Sequence, residues 1–529
     1  MFGYIKKNPN RPLNSFLLTR ITLIVALGGL LMGFDASVIS GVNKYVQIDF
    51  NLTDLELGFS VSSLTVIAAL AMMVSGPLSD KYGRRVLLKA CAVIFTISAV
   101  GSALAPSFIL FLIFRMLGGI GVGASLILAP MYIAEIAPPD QRGRLVSFNQ
   151  LNIVIGISLA FFSNYLILAL GDSQSEWLRS LGIAENNWRW MLGVEAVPAI
   201  FYFLGLYGVP RSPRWLIMKG QITEAKDVLI KFGSVDQVDA DVKAVTQSLQ
   251  ADKDKNKVPM TEIFKPAFKL IITVGVVVGV LQQITGINSV FFYAPMIFEQ
   301  SGIGTDASFI QAILVGLTNL VFTILAMLLI DKLGRKPLLI VGVSGITFFM
   351  ALLAYGFDSA TYSLTSDKIS TLSDPELRNE ISVLAGRNFK NDVSYKKELR
   401  AILGIQKAKK YESELITAAI SMDPALILVG IMGFVACFAI SLGPVMWVLF
   451  SELFPLRIRG VAISFVGFIN SAVSAGVQFI FPWELSVLGS ATTFLIYGLF
   501  AFLGLIYIVR FIPETKGRSL EELETILVK

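Results

Sequence analysis

The chemistry available to this chain sits in a few polar side chains set inside long apolar runs. The first run, Ile21 to Val42, is long enough to cross a bilayer as a helix, which takes about 20 mostly apolar residues. One ionisable residue, Asp35, lies well inside it. A carboxylate at membrane depth costs roughly 2.5–3.5 kcal/mol on insertion scales, so it usually faces a cavity, a partner or a proton path. A proton carrier and a structural partner for a basic residue on another helix both remain open from the residue alone.

Amides form a second group. Gln282, Gln283 and Asn288 share one apolar stretch, and Gln150, Asn319 and Asn470 lie in three others. Phe438 and Trp447 add aromatic surface in a fifth. Buried amides are expensive unless bonded, so amides set in apolar runs beside aromatic surface point to a polar binding site or to bonds between helices. On a regular helix Gln282 and Gln283 diverge by about 100°, so they share a cavity with Asn288 only if the helix is irregular near Gly286.

The elements that hold these groups follow from composition. The chain has 529 residues, 54% apolar and 16% charged, with mean hydropathy +0.70; that composition marks a polytopic membrane protein. The formal net charge of +6 fits basic cytoplasmic loops better than a nucleic-acid footprint. The chain contains no histidine, which removes Ser-His triads and histidine proton relays and leaves carboxylates as proton carriers. Cys91 and Cys437 lie in apolar segments without a CxxC, so they read as buried thiols. With no nucleophile–base pair or metal cluster visible, neither an enzyme nor a cofactor or metal is expected. The apolar run after the basic N-terminus is longer than a signal-peptide core, carries Asp35 and lacks a small-residue cleavage site, so it reads as a first membrane helix and not a removed signal.

Apolar stretches recur six times before Arg211 and six times after Phe264. The expected fold is an all-α membrane protein of twelve transmembrane helices in two pseudo-symmetric six-helix bundles. The first bundle covers 1–210, cytoplasmic linker helices 211–264, the second bundle 265–512, and a cytoplasmic tail 513–529. The basic clusters at 80–85, 140–144, 331–336 and 457–460 share one face with both termini, and the positive-inside rule makes that face cytoplasmic. Residues 357–422 break the rhythm as an extracytoplasmic helical insertion. Within it, Ser373-Asp-Pro-Glu376 reads as a capping box with a stop at Gly386, and a second helix is expected over Ser394–Leu403, ending at Gly404.

The halves look like copies. Asp80-Lys-Tyr-Gly-Arg84-Arg85 reappears as Asp331-Lys-Leu-Gly-Arg335-Lys336, and Glu135 and Glu452 each precede an arginine, Arg142 and Arg459, by seven residues. The Asp80–Glu135 separation is 55 and the Asp331–Glu452 separation 121. The excess is nearly the length of the insertion, so removing it brings the halves into register. These charges, at helix ends, are expected to form a cytoplasmic gate in which the carboxylates pair with Arg84, Arg142, Arg335 or Arg459.

Six motifs carry a resemblance: Gly76-Pro-Leu-Ser-Asp80-Lys-Tyr-Gly-Arg-Arg85, Arg115-Met-Leu-Gly-Gly, Pro210-Arg-Ser-Pro-Arg-Trp215, Gln282-Gln-Ile-Thr-Gly-Ile-Asn288, Gly443-Pro-Val-Met-Trp447 and Pro513-Glu-Thr-Lys-Gly517. In this order and spacing the chain resembles the sugar-porter branch of the major facilitator superfamily, over nearly all its length except 357–422. The resemblance implies that Gln150, Gln282, Gln283, Asn288, Asn319, Phe438, Trp447 and Asn470 contact a sugar. It also implies that Asp35, Arg115 and Glu195 couple transport to a proton, since the family's human glucose facilitators carry a neutral asparagine at the place of Asp35. The chain departs from the family's bacterial xylose–proton symporters at Ile157, Phe292, Met32 and Ser471, where those have glutamine, tyrosine, phenylalanine and tryptophan. Pentose and hexose both stay open, with glucose-like hexoses slightly favoured. Met327 replaces Gly76 in the second copy of the basic turn, a departure from the fuller pattern.

The expected function is proton-coupled symport of a monosaccharide by alternating access across the cytoplasmic membrane of a bacterium. The expected partners are the sugar, the proton and the lipid bilayer, with no nucleic acid and a monomeric chain. A facilitative uniporter with Asp35 structural is the alternative within transport. A transporter-like sugar sensor is the alternative outside it, but sensors of that kind carry long cytoplasmic tails, and the tail 513–529 is expected to be only 17 residues long.

Overall fold

The computed structural model describes residues 15–138, 141–232, 238–254, 259–455, 457–516 and 522. Among them, twelve helices are long and apolar enough to cross a membrane. Helices one to six are Phe16–Asp49, Asp54–Tyr82, Arg84–Leu104, Phe108–Ile136, Arg142–Gly171 and Asn187–Gly208. Helices seven to twelve are Pro266–Phe292, Thr305–Leu333, Arg335–Asp358, Pro424–Leu453, Arg459–Val487 and Ser490–Phe511. Several overrun their apolar cores, because the helical hydrogen-bond ladder continues through polar turns such as Asn43–Lys44 once water or a partner can receive the side chains. Between helices two and three, and again between eight and nine, the chain turns at one glycine with positive φ, 95° at Gly83 and 96° at Gly334. That conformation is costly for any residue with a Cβ. The repeated motif is thus a repeated turn.

Three helices are interrupted. Helix six breaks at Val194–Glu195, between regular stretches Asn187–Gly193 and Ala196–Gly205. Helix seven stops after Ile284 and restarts at Ile287, with Gly286 in the left-handed region at φ 85°. Helix ten is split at Ser441 into Pro424–Ile440 and Leu442–Leu453. Interruptions within a bilayer are tolerated where the freed backbone groups line a cavity or find side chains.

The two sets of six meet unevenly. Phe34, Val38, Val42 and Val46 of helix one share one apolar core with Ile287 and Phe291 of helix seven. Nearer the N-terminus, Leu18, Ile21 and Val25 belong to a different core, built with helices two to six and with Leu216 and Val228 of the linker helices. Hydrogen bonds across the seam follow the first core. Asn43 Nδ2 donates to the Phe292 carbonyl at 2.7 Å, Lys44 Nζ reaches Glu299 Oε1 at 3.0 Å, and Thr65 Oγ1 donates to Gln478 Oε1 at 2.9 Å. Among the described residues, the bonds from helix one across the seam lie toward the face that carries the insertion.

The insertion is not purely helical, which corrects the expectation from sequence. Thr361–Ser363 (β1) pairs antiparallel with both Asn388–Phe389 (β2) and Ile420–Ser421 (β3), in the order β2-β1-β3. Tyr362, Leu377, Tyr395 and Leu415 help to form a core of its own. The first helix is capped one residue later than read: Asp374 is the N-cap with Pro375 following, because Ser373 is held by Glu414 instead. Gly386 takes φ 76° after a short 3-10 turn. The second helical run starts at Asp392 and stops at Gly404 as expected, because φ 72° and ψ 165° there are not helical; a further helical stretch continues to Lys410.

Candidate substrate and coupling sites

The charged centre lies where helices one, four and six converge. Asp35, Arg115 and Glu195 are 1%, 2% and 2% exposed. Arg115 Nη1 donates to Asp35 Oδ1, and also to the Asp35 carbonyl at 3.3 Å. Glu195 sits at the break in helix six, and Asp35 and Arg115 are its charged neighbours. Asp35 Oδ2, Arg115 Nε and Glu195 Oε1 are buried without hydrogen-bond partners. Two acceptors and a donor left over in a buried site make the ion pair only half-satisfied. Removing one member of a buried pair strands the other charge, at a cost of about 3–5 kcal/mol. The break that frees Glu195 was readable in the sequence: Gly193 precedes it, and Pro198 has no N–H to donate to the Val194 carbonyl.

The amide centre is built on the break in helix seven. Because Gly286 turns the chain there, Gln282, Gln283 and Asn288 do converge. Gln283 Nε2 donates to Gln282 Oε1 at 3.0 Å, and Asn288 Nδ2 donates to Gln283 Oε1 at 2.8 Å. Asn470 of helix eleven joins them, donating to Gln282 Oε1 at 2.8 Å and accepting from Gln283 Nε2 at 3.3 Å. Gln282 Nε2 reaches the Leu442 carbonyl at the break in helix ten, 3.0 Å away. Two further residues belong here. Asn288 also donates to Ser474 Oγ at 2.7 Å, and Gln478 Nε2 donates to that hydroxyl at 2.8 Å. Asn470, Ser474 and Gln478 recur every four residues, a polar stripe on one face of helix eleven that periodicity could have revealed.

The remaining expected sugar contacts are less closely joined. Asn319 and Phe438 are buried, Phe438 packing beside Gly443 just past the break in helix ten. Trp447, by contrast, is 47% exposed, its ring edge-on to Phe450 with centroids 6.0 Å apart. Gln150 is exposed on helix five. Trp447 and Gln150 stand outside the hydrogen-bonded amide network in this conformation.

The gate charges form two matching clusters, each within one set of six. Arg84 pairs with Asp80 at 2.7 Å and with Glu135 at 2.9 Å, and Ser212 Oγ donates to the second Glu135 oxygen. Arg335 pairs with Asp331 at 3.2 Å and with Glu452 at 2.8 Å, and Thr515 Oγ1 donates to the second Glu452 oxygen at 2.6 Å. Ser212 and Thr515 come from the Pro210–Trp215 and Pro513–Gly517 motifs (Gly517 itself lies outside the described residues). Arg85 instead donates to the Leu206 and Tyr207 carbonyls. The expected pairing with Arg142 and Arg459 is corrected. Arg142 is exposed, and Arg459 Nε donates to the Phe454 carbonyl at 3.0 Å. The buried arginine of each basic turn already occupies its glutamate, and a spacing of seven across a loop does not bring the later arginine as close.

Residues 21–371 and 402–527 match the family model for sugar (and other) transporters. The chain belongs to that family. The unmatched residues 372–401 fall inside the insertion, as the register between the halves implies. Among curated relatives, the D-xylose-proton symporter of Escherichia coli (strain K12) is 34% identical, over 98% of this chain and 97% of that protein. The arabinose-proton symporter of Bacillus subtilis (strain 168) is 32% identical, over 96% and 95%. Among solved structures, the inward-open conformation of the E. coli xylose transporter XylE matches with TM-score 0.72 at 32% identity, covering 96% of this chain and all of that one. The same symporter bound to 6-bromo-6-deoxy-D-glucose matches with TM-score 0.66, also at 32% identity, covering 97% of this chain and 100% of that one. As in other members of this family of sugar transporters, the twelve spans form a multi-pass membrane protein.

Proposed function

We propose that this transporter carries a monosaccharide together with a proton, by alternating access across a bacterial cytoplasmic membrane. The supporting observation is the coexistence of two unlike buried centres: a half-satisfied Asp35–Arg115 pair with Glu195 beside it, and a bonded amide network at the break in helix seven. Relatives named as xylose- and arabinose-proton symporters support the same substrate class.

Gln282, Gln283, Asn288 and Asn470 exchange bonds among themselves for bonds to sugar hydroxyls, an exchange of similar groups that costs little. Asn319 and Phe438 line the same site, and Gln150 and Trp447 complete it when the two bundles, 1–210 and 265–512, close on the substrate. Protonation of Asp35 releases Arg115 from its partner, and the conformation that tolerates the released arginine gains population. The Asp80–Arg84–Glu135 and Asp331–Arg335–Glu452 clusters brace the helix ends that move. The linker face, rich in basic turns and bearing both termini, is cytoplasmic. Each chain holds a complete pair of centres, which fits a monomer, and the chemistry is transport and not turnover of the sugar.

The test is uptake by proteoliposomes against labelled xylose, arabinose and glucose, with and without an imposed pH gradient. Accumulation of one sugar that rises with the gradient supports symport. Uptake indifferent to the gradient makes the chain a uniporter.

A further inference from the structure

The insertion stands apart from both centres, yet it touches both sets of six. Its anchor is on the second set. Asp392 Oδ2 accepts from the Ser490 amide at 3.0 Å and the Ser490 hydroxyl at 3.2 Å, capping helix twelve. Glu412 Oε1 lies between Lys396 Nζ at 3.1 Å and Gln300 Nε2 at 3.3 Å. With its own apolar core and these anchors, the insertion moves with helices seven to twelve.

Its reach is to the first set. Lys409 Nζ donates to the Leu52 carbonyl at 2.9 Å and lies 3.3 Å from Asp54 Oδ1, in the turn between helices one and two. Asp54 Oδ1 is also held by Gln47 Nε2 at 3.1 Å. Beside it a second link crosses the same seam: Lys44 Nζ reaches Thr305 Oγ1 at 3.1 Å, and that hydroxyl meets Ser413 Oγ of the insertion at 3.4 Å. The matching loop of the first half, Ala105-Pro-Ser107, holds three residues and offers no counterpart.

We infer that the insertion is a clasp that selects one conformation, with Lys409 its closing contact. A contact between the two sets on the insertion face exists while that face is shut and is lost when it opens. It therefore weights the equilibrium toward the conformation open on the linker face, by the free energy of the contact. The pair is partly buried, at 13% and 23% exposure, and carries an added bond to a backbone carbonyl. A weighting of about three- to fivefold is the expected scale. This inference rests on the alternating-access reading, but its readout needs neither sugar nor proton.

The experiment is a spin-label distance across the insertion face, in the full chain in lipid nanodiscs. Labels go at Glu185→Cys and Asp306→Cys, exposed positions on opposite sides of the seam, with Cys91 and Cys437 replaced by alanine. Lys409→Ala is expected to raise the ratio of long to short distances about three- to fivefold. Asp54→Asn should move the ratio the same way, and the double variant no further than the larger single one. The exchanged pair, Lys409→Asp with Asp54→Lys, should return the ratio toward the parent value and guards against a variant that merely misfolds. An unchanged ratio in both single variants, or additive effects without rescue, overturns the clasp.

Discussion

The two buried centres differ in kind. The one on helices one, four and six is ionic, and three of its polar atoms lack partners. The one on helices seven, ten and eleven is neutral, and its amides satisfy one another and the Leu442 carbonyl. A neutral, bonded network exchanges partners easily, which suits a reversible ligand with many hydroxyls. A buried ion pair responds to the loss of one charge with a large change in energy, which suits a switch. On the proposed function, this difference in buried chemistry gives substrate recognition to helices seven, ten and eleven and coupling to helices one, four and six.

Arg115→Leu tests the ionic side with the largest expected effect. It strands Asp35 and should cost about 3–5 kcal/mol of stability, read as a fall in thermal midpoint in detergent. Adding Asp35→Asn should recover most of that loss; no recovery would mean that Arg115 acts through other contacts. On the neutral side, Gln282→Ala, Gln283→Ala and Asn288→Ala should each cost about 1–3 kcal/mol of sugar binding, or roughly 5- to 150-fold in affinity by calorimetry. Gln283 is included because it sits inside the network, accepting from Asn288. Wild-type affinity in all three would move the sugar site away from helix seven.

The division between the halves is sharpened by the gate clusters, where the two copies are alike. Ser212→Ala and Thr515→Ala each remove one hydroxyl from a glutamate, at about 1 kcal/mol apiece. Equal falls in uptake rate are expected, and a twofold disparity in the free-energy cost would show that the copies have diverged in role.

A smaller effect is expected from acid at the insertion. Burial alone would raise the Glu412 carboxyl, but the Lys396 ammonium, the Gln300 amide and the Arg400 charge together hold it below the ordinary glutamate value. A depressed carboxylate stabilises the fold above its unfolded value, and that contribution is lost as pH falls through the lower folded value. Hydrogen exchange over residues 392–420 should accelerate only in that acidic window; acceleration already near neutral pH would contradict it.

Much of this was legible in sequence because lipid imposes simple rules. Twelve apolar stretches became twelve helices, and amides too costly to bury alone pointed to one another. Gly286 announced the break that lets Gln282 and Gln283 share a cavity. The breaks at Ser441 and Glu195 were signalled by Pro444 and Pro198, which have no N–H to donate to the Ile440 and Val194 carbonyls. The sheet of the insertion was hidden because its strands are two or three residues long, too short for alternation to register. Arg142 and Arg459 were chosen by repeated spacing, whereas burial placed Arg84 and Arg335 on the glutamates.

The most direct test of the central claim, that proton coupling and sugar recognition are separable, is Asp35→Asn in proteoliposomes. Two measurements on one preparation are needed: accumulation driven by a pH gradient, and exchange of labelled for unlabelled sugar without one. The expected result is an accumulation ratio near unity with exchange retained. Accumulation at the parent level, or loss of sugar binding together with exchange, would contradict the division between the two centres.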